Sequence, residues 1–508
     1  MPVLIGPDLT FADVIAVARH DEPVEVSEQA LTAVDRAADH IAQLADEIVP
    51  HYGISTGFGA LASKRVPVEQ RAVLQHSLIR SHAASTGAEV EREVIRAMML
   101  LRLKTMASGH TGVRREVVLG YAAMLNAGIT PVTGEYGSLG CSGDLAPLAH
   151  AALALTGEGI VRDKAGTQMS AAEALSTAGL EPITLREKEG LALINGTDGM
   201  LGQLILALTD LDTLVTTADL TTAMTVQALC GIDAVFAPDL QALRPHAGQK
   251  LSAANIAALL KDSPLIQAGK SEESKRVQDA YSLRCAPQVT GAVRDTMAHA
   301  AHVAQVELVS AIDNPAVTDD LRVESNGNFH GAPVAYVLDF LAIAVADLAS
   351  MSERRTDRML DPARSRGLNA FLANDPGVDS GYMIAQYTQA SIVSELKRLA
   401  VPASADSIPT SAMQEDHVSL GWSAARKLRR AMDGLGKVLG VEALTAARAI
   451  DMRGIGASEP VARVIKLMRE SLPEPGPDSF LAPDIAEVDR LVASGKLVAA
   501  ARESVELN

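Results

Sequence analysis

Residues 134–150 combine a high density of glycine with side chains that could take part in chemistry. Glycines stand at positions 134, 137, 140 and 143, and the stretch then enters a helical pattern that contains Pro147. Four glycines in ten residues predict a tightly folded loop, because glycine allows backbone conformations and close approaches that a Cβ atom forbids. At the centre of the stretch lies the tripeptide Cys141-Ser142-Gly143.

Three kinds of chemistry suit a glycine-flanked serine, and the residues around Ser142 disfavour two of them. A phosphate-binding loop follows a strand and ends in Lys-Ser or Lys-Thr, and neither feature is present. A serine-hydrolase turn has the pattern Gly-x-Ser-x-Gly, whereas glycine follows Ser142 directly. In the third, the amide nitrogen of Gly143 bonds to the carbonyl carbon of Cys141, and Ser142 loses its hydroxyl as water. The product is a 4-methylideneimidazol-5-one (MIO) ring, an electrophile made from the chain itself; a purely structural glycine turn is the simple alternative.

A small residue followed by Ser-Gly-Asp-Leu-Ala-Pro-Leu-Ala-His at positions 142–150 resembles the MIO-dependent aromatic amino-acid ammonia-lyases, most closely their histidine-specific branch. The resemblance implies an MIO cofactor formed from Cys141, Ser142 and Gly143, without metal or nucleotide. The family usually has alanine at the position of Cys141. Cysteine is also small and only its backbone enters the ring, so we expect little consequence.

Three further residues take catalytic roles from the resemblance. His-Tyr-Gly-Ile-Ser-Thr-Gly-Phe-Gly at positions 51–59 resembles the family's loop that carries the catalytic base, which assigns that role to Tyr52. Three glycines in seven residues also predict that this loop has no regular structure. The stretch 189–197 matches the family segment in which Asn195 would hydrogen-bond near the MIO, and Tyr281 would work beside the same group.

The resemblance also implies a set of residues that hold the substrate. Arg284 is the candidate for the substrate carboxylate, because its planar guanidinium suits bidentate pairing and the chain is acidic as a whole. His82 and Glu415 supply a polar pair for the two nitrogens of an imidazole ring, and Gln278 and Phe329 line the same pocket. A buried carboxylate without a partner is costly, so Glu415 favours a substrate with N–H donors.

These roles imply deamination of L-histidine to trans-urocanate and ammonia. A lyase or 2,3-aminomutase acting on tyrosine or phenylalanine is the alternative within the family, and a catalytically dead scaffold is the alternative outside enzymes. Taken alone, His82 could be a helix cap, and the acids near Glu415 could simply stabilise a helix N-terminus. Ser77 and Met413 depart from the asparagine that many histidine-specific members have, and Met413 is expected to neighbour the pocket.

Composition limits the class of protein. Of 508 residues, 48% are hydrophobic and 21% charged, typical of a soluble globular protein with a large core, and only 3% are aromatic. The net charge of −17 argues against a nucleic-acid partner. Three cysteines without metal-ligand spacing indicate a reducing compartment. The N-terminus lacks the features of a signal peptide, and Asp339 and Asp347 interrupt the apolar stretch 335–349, so we expect a cytoplasmic protein without a membrane span.

Hydrophobic spacing predicts a mainly α protein without fixed-period repeats. An amphipathic helix over 28–49 is capped by Ser27 and stopped by Pro50. Its predicted buried face consists of Leu31, Val34, Ala38, Ile41, Ala45 and Ile48. Other helices are predicted at about 67–80, 89–107, 112–127, 198–230, 250–261, 287–312, 333–355, 380–400 and 417–449. Residues 157–168 are predicted to form a small hairpin or a surface excursion, and Ser170 is predicted to cap a short helix.

The family resemblance extends these expectations to the whole chain. It implies an elongated central helical bundle of the ammonia-lyase and fumarase/aspartase type with a small N-terminal region. Residues 1–508 would form one unit: about 1–110 with the Tyr52 loop, about 111–450 as the MIO-bearing bundle, and about 451–508 as C-terminal helices. Family members are tetramers with active sites assembled from several subunits, so a homotetramer is expected.

Overall fold

The computed structural model describes residues 2–271 and 276–508, and this part of the chain is mainly α, as predicted. Its α-helices, numbered α1 to α20 in chain order, are Phe11–His20, Glu28–Ala45, Arg71–His82, Arg92–Ala107, Arg115–Asn126, Leu145–Leu155, Ala171–Thr177, Glu189–Ala192, Asp198–Ala228, Pro238–Ala242, Ala247–Leu260, Pro264–Gly269, Tyr281–Arg284, Ala286–Val309, Ala332–Leu360, Met383–Leu399, Gly421–Arg453, Glu459–Arg469, Leu481–Ala493 and Lys496–Arg502. Its strands, β1 to β9, are Val3–Ile5, Val24–Val26, Thr86–Glu89, Thr130–Pro131, Gly134–Tyr136, Ile160–Arg162, Gln168–Ser170, Ala316–Val317 and Val323–Glu324.

The predicted helices are all present, and α2 differs from its prediction at one end. The Ser27 hydroxyl caps it by accepting the Ala30 amide at 3.1 Å, as predicted. The helix ends at Ala45, well before Pro50, and the following amides bond to carbonyls only three residues back. Ile48 therefore leaves the helical face and is 83% exposed, so its predicted burial is wrong. The observed buried face is Leu31, Val34, Ala37, Ile41 and Ala45.

Short strands make small sheets beside the helices. Strands β1 and β2 pair in parallel, and the other pairings are antiparallel. The β6–β7 pair confirms the predicted hairpin, and Ser170 caps α7 as predicted. Strand β5 opens the glycine-rich stretch, where the sequence analysis expected no strand, and it pairs with β3, which follows α3 by three residues. This pairing ties the glycine-rich stretch to the chain that leaves the end of α3, where His82 lies.

The chain forms two compact units, each assembled from three separate stretches. Unit 1 comprises Met1–Leu206, Ala301–Asp339 and Pro402–Arg426. Unit 2 comprises Ala207–Ala300, Phe340–Val401 and Lys427–Asn508. The division into three regions inferred from the sequence stays a prediction.

Within unit 1, α4 is buried along nearly its whole length, and three of its four cationic side chains lie in the buried part. Each of the three reaches backbone carbonyl oxygens. The Arg96 guanidinium donates to the carbonyls of residues 17 and 125, and Arg102 donates to residue 312 at 2.8 Å. The Lys104 ammonium donates to the carbonyl of residue 310. Hydrogen bonds to carbonyls lower the cost of burying a cation, so α4 carries charge into the core of this unit, although the Nε and Nη1 atoms of Arg102 are buried without a hydrogen-bond partner.

Within unit 2, glycine permits a close helix crossing, and ion pairs lie deep in the core. A Cβ at Gly248 in α11 would collide with the carbonyl of Gly291 in α14, so these helices approach to backbone contact. Arg355 pairs with Glu442 at 2.5 Å, and both side chains are fully buried.

Two of the described helices, α9 and α15, are long and apolar enough to cross a membrane by length and composition alone. However, 78% and 61% of their most apolar stretches are buried inside the protein. Core helices of soluble proteins have the same character, so neither helix indicates a membrane span.

Candidate active site

A cavity of about 1120 Å³ lies in unit 1, and six separate parts of the chain line it. None of the described residues that line it is lysine or arginine. The cavity brings together seven residues that the sequence singled out: Tyr52, His82, Cys141, Ser142, Asn195, Phe329 and Glu415.

The glycine-rich turn has the close backbone contacts that its composition predicts. Gly143 has a φ of +80°, and a Cβ there would collide with the carbonyl of Gly196. Gly140 has a φ of +65°, and its Cβ would lie 2.5 Å from the Ser419 hydroxyl. Residues other than glycine rarely adopt such backbone conformations, and a Cβ atom would not fit the space. Both positions therefore require glycine.

Asp144 fixes the turn from inside the protein. Its carboxylate accepts the Ser138 hydroxyl at 2.7 Å and the Met200 amide at 2.8 Å. Its own amide donates to the carbonyl of Gly196 at 2.7 Å. Burial raises the pKa of Asp144 to about 7, against these hydrogen bonds, which favour the charged form. The residue therefore joins the turn to the start of α9.

Asn195 lies on the opposite side of the same turn. Its Nδ2 donates to the backbone carbonyl of Ser142 at 2.7 Å, and the residue is 3% exposed. The short helix α8 positions it: Glu189 at the start of α8 is bound by Arg114 at 2.8 Å. The Asn195 Oδ1 atom is buried without a hydrogen-bond partner. Such an acceptor costs free energy when left alone, so it is available to a ligand that carries N–H groups.

Glu415 touches two members of the tripeptide. Its Oε1 accepts the Ser142 hydroxyl at 2.9 Å, and its Oε2 lies 3.3 Å from the Cys141 sulfur. The Thr410 hydroxyl donates to Oε2 at 2.9 Å. Burial raises the pKa of the Cys141 thiol to about 12, so the sulfur keeps its proton and donates it to this hydrogen bond. The sequence analysis considered only the Cys141 backbone, whereas the structure gives the side chain a partner.

His82 is the last residue of α3. Its Nδ1 lies 2.9 Å from the carbonyl oxygen of Leu78, which can only accept, so the proton is assigned to Nδ1. The Nε2 atom is then a free acceptor in a residue that lines the cavity. Burial lowers the pKa of His82, although the nearby Glu415 charge acts in the opposite direction. The imidazole is therefore neutral near pH 7.

The Tyr52 loop has no helix or extended strand over residues 51–58, as predicted. The amide of Gly59 donates to the Tyr52 hydroxyl oxygen at 3.2 Å. Ile54 is fully buried in a small cluster with Ile41 and Val317, which anchors the loop. The loop thus places Tyr52 in the lining of the cavity.

Gln278, Tyr281 and Arg284 belong to unit 2 and are not among the residues that line the cavity. Asp279 is buried and accepts the Ile232 amide at 2.7 Å, which fixes the segment. Tyr281 is 70% exposed, and the Arg284 guanidinium lies over its ring at 4.8 Å. The Nε atom of Arg284 is buried without a hydrogen-bond partner. The structure therefore does not bring these three predicted residues to the cavity.

Other lining residues had no role in the sequence analysis. Asn326 donates to the carbonyl of residue 313 at 3.0 Å, and its amide donates to Asn314 Oδ1 at the same distance. His330 and His417 stack with ring centroids 5.5 Å apart. The residues around His330 have a turn-like composition, but no local pattern in the sequence shows that His330 and His417 meet. Ser77 also lines the cavity, whereas Met413 is 66% exposed and is not among the lining residues.

The chain is similar to known proteins along nearly its whole length. The family model for aromatic amino acid lyases matches residues 9–470. Histidine ammonia-lyase of Streptomyces coelicolor is 61% identical over 506 residues, which cover 99% of this chain and 98% of that protein. A tyrosine aminomutase structure from Streptomyces globisporus superposes with a TM-score of 0.94 at 36% identity, covering both chains fully. Histidine ammonia-lyase from Trypanosoma cruzi gives a TM-score of 0.91 at 37% identity, covering 100% of this chain and 96% of that one.

Proposed function

The chain belongs to the aromatic amino acid lyase family, and on that premise we propose that it removes ammonia from L-histidine to give trans-urocanate. It is a carbon–nitrogen lyase. The observation that carries the proposal is one cavity that joins Ser142 of the glycine turn to His82 and Glu415. The sequence identity to histidine ammonia-lyases extends over nearly the whole chain, which supports the same substrate.

The residues of the turn fit an MIO ring. Gly143 lies where a Cβ has no room, which suits a backbone nitrogen that must bend towards the Cys141 carbonyl carbon. In that ring the carbonyl of Ser142 is retained, and it already accepts a hydrogen bond from Asn195. Once formed, MIO supplies an electrophile that binds the substrate's amino group and lets it leave.

In this mechanism Tyr52 takes the β-proton of the substrate. Its hydroxyl oxygen lies in the cavity lining, and the Gly59 amide orients it. The substrate amine must be free of its extra proton before it can react. The unpartnered Oδ1 of Asn195 accepts an N–H of that amine, while its Nδ2 stays on the Ser142 carbonyl. Asn195 thus orients the amine at the turn.

Specificity follows from two hydrogen-bond acceptors in the same cavity. An imidazole presents one N–H and one acceptor when neutral, and two N–H groups when protonated. The free Nε2 of His82 and the carboxylate of Glu415 both accept hydrogen bonds. A phenylalanine ring would leave the Nε2 of His82 unpaired and would offer no N–H group to Glu415, and a site built for hydrogen bonds rejects such an analogue strongly.

We also propose that the site is completed by another copy of the chain in a homotetramer. The described lining of the cavity holds no lysine or arginine, although the substrate carries a carboxylate that needs a cation. Arg284 has an unpartnered Nε atom, and Tyr281 beside it is largely exposed. Gln278, Tyr281 and Arg284 of a neighbouring copy would supply the carboxylate site, and Phe329 would pack against the MIO. We further propose a cytoplasmic location.

A second candidate is a tyrosine or phenylalanine ammonia-lyase, or an aminomutase. A tyrosine aminomutase has the same fold with a TM-score of 0.94, so the fold is compatible with both candidate functions. The acid at Glu415 favours histidine instead, because a carboxylate accepts from the N–H groups of an imidazole ring and a phenylalanine ring has none.

The test is a substrate panel. Purified protein is mixed separately with L-histidine, L-tyrosine and L-phenylalanine, and the ultraviolet band of the conjugated acrylate product is followed. We expect rapid growth of the band with histidine and little with the other two. Preferential turnover of tyrosine would overturn the assigned substrate.

A further inference from the structure

Lys188 is a buried cation that the proposed mechanism does not use. Its side chain is 0% exposed, and its ammonium donates to the carboxylate of Asp313 at 2.5 Å and to the carbonyl of Thr111 at 2.7 Å. Its backbone has a φ of +67°, in the left-handed region that favours glycine. Burial lowers the pKa of Lys188, whereas the Asp313 charge acts in the opposite direction. The buried charge and the backbone conformation both cost free energy, and residues of this kind cluster at functional sites.

Lys188 stands at the start of the segment that carries Asn195. It directly precedes α8, and its carbonyl accepts the Ala192 amide at 3.0 Å. Helix α8 comprises only four residues, and an isolated helix this short is not stable in water. Asn195 lies three positions beyond the end of α8. The position of Asn195 therefore depends on contacts that hold α8 from outside.

Asp313, the partner of Lys188, lies beside a second part of the cavity lining. Its backbone carbonyl accepts Nδ2 of Asn326 at 3.0 Å. The next residue, Asn314, accepts the backbone amide of Asn326 through Oδ1 at 3.0 Å. Both asparagines line the cavity. The pair of Lys188 and Asp313 therefore joins the segment that carries Asn195 to the part of the lining formed by these two asparagines.

A neighbouring ion pair holds α8 on a different side. Glu189 is bound by Arg114 at 2.8 Å, and Arg114 directly precedes α5. The Arg114 side chain is 22% exposed, so this pair reaches the surface. The Lys188–Asp313 pair is fully buried and ties α8 to the stretch 313–326 instead. Removal of the buried pair would thus release α8 from the cavity lining while its tie to α5 remains.

We propose that Lys188 and Asp313 are positioning residues for the deamination, because together they set where Asn195 stands at the turn. This inference rests on the proposed function, in which Asn195 orients the substrate amine. A misplacement of about 1 Å can lower a reaction rate about 10²-fold. Stability alone does not explain the pair, because a neutral pair of similar volume often serves a protein core as well as a buried ion pair does.

The inference is tested by neutralising two buried ion pairs separately. Lys188→Met/Asp313→Asn removes both charges and leaves no unpaired buried charge behind. The matched control is Arg355→Met/Glu442→Gln, because that pair is also fully buried, is also 2.5 Å apart, and belongs to unit 2. Neither residue of the control pair lines the cavity. Circular dichroism and thermal unfolding establish that each variant is folded.

Intact-protein mass shows separately whether the turn has matured. Formation of the MIO removes two waters, one with the Ser142 hydroxyl and one in the closure of the ring. Asp144 fixes the turn through contacts that do not involve Lys188, so both double variants should be lighter than their sequences by two waters. The mass therefore separates an effect on Asn195 from an effect on the turn itself.

We expect kcat for L-histidine to fall roughly 10- to 100-fold in Lys188→Met/Asp313→Asn, with a much smaller change in KM. The control variant should keep the wild-type kcat. A wild-type kcat in Lys188→Met/Asp313→Asn, an equal loss in both variants, or absence of the two-water mass change in the first would overturn the inference. A mature wild type that does not deaminate histidine would instead overturn the proposed function, and this inference with it.

If Lys188→Met/Asp313→Asn does not fold, Asp313→Asn alone decides the question. Asn keeps the shape of Asp and still accepts a hydrogen bond from the Lys188 ammonium, but the ion pair is lost and the attachment is weaker. We then expect a severalfold fall in kcat, with KM and the two-water mass change retained. A kcat equal to that of wild type, or loss of the mass change, would overturn the inference.

Discussion

The glycine-rich turn and the segment 278–284 both carry dense family motifs, yet their surroundings are opposite. In the turn, Asp144 is fully buried, and its carboxylate and amide have partners in unit 1. In the segment, Tyr281 is 70% exposed and Arg284 keeps an unpartnered Nε atom. Asp144 of the turn therefore has its hydrogen-bond partners within its own unit, whereas the segment leaves a buried polar atom of Arg284 without one.

The largest expected effect comes from a substitution in the glycine-rich turn. Ser142→Ala removes the hydroxyl whose loss creates the electrophile, so no water should be lost from the protein mass. Histidine turnover should fall on the order of 10³-fold or more, because the covalent route disappears as a whole. Mass spectrometry and steady-state kinetics on the folded variant measure both. Near-normal turnover in a variant that lacks the mass loss would show that the turn is structural only.

Tyr52→Phe should act on the reaction and leave the electrophile intact. The ring lacks only the hydroxyl that takes the β-proton, so the two-water mass loss should persist. The rate constant kcat should fall about 10²- to 10⁴-fold, the usual contribution of a general base, with a much smaller change in KM. If kcat holds while the mass loss is intact, another residue is the base.

The contrast between the two regions itself can be tested by mixing defective chains. Ser142→Ala damages the turn, and Arg284→Ala damages the exposed segment, so each protein alone should be nearly inactive. If each site takes its turn from one chain and its arginine from another, random assembly of equal amounts of the two variants leaves both groups intact in about a quarter of the sites. Co-expressed chains should therefore recover about a quarter of wild-type activity. Activity assays on doubly tagged, co-purified oligomers measure this. Absence of recovery would mean that one chain supplies both groups.

His82→Leu should alter substrate choice more than it alters the chemistry. Leucine removes the free Nε2 acceptor, so kcat/KM for histidine should fall roughly 10- to 100-fold, and phenylalanine turnover should rise. His417→Leu is the matched control, because His417 also lines the cavity but stacks on His330. It should keep the preference for histidine. An equal loss in both variants would remove His82 from the specificity site.

The smallest effect concerns pH. Burial lowers the pKa of His82, so the residue stays neutral and able to accept as pH falls through the ordinary range for histidine, near 6.5. Activity that depends on neutral His82 should therefore be lost only at lower pH. The profile of log kcat/KM should lose this acidic limb in His82→Leu. An unchanged acidic limb in that variant would assign it to another group.

Much of this site could be predicted from the sequence because its signals are local. The glycines of the turn and of the Tyr52 loop are required by close backbone contacts, such as Gly143 against Gly196. Helical periodicity likewise predicted the long helices. The failures are of two kinds. Ile48 fits the helical pattern, but α2 ends three residues before it, in a tight turn that periodicity does not report.

The other failures involve contacts between distant parts of the chain. The Cys141 thiol meets Glu415, which lies 274 positions later, and no local pattern predicts that meeting. The same holds for His330 and His417. Arg284 is not among the residues that line the cavity, and spacing along the sequence does not show which distant segments meet.

The most direct test of histidine deamination at this turn is the product balance. Purified protein is incubated with L-histidine alone, and ammonia, trans-urocanate and any β-amino isomer of histidine are measured in the same sample. Histidine deamination should give one ammonia for each trans-urocanate and no β-amino acid. Formation of the β-amino isomer without ammonia would identify an aminomutase, and no conversion of histidine by a folded, matured protein would contradict the assignment altogether.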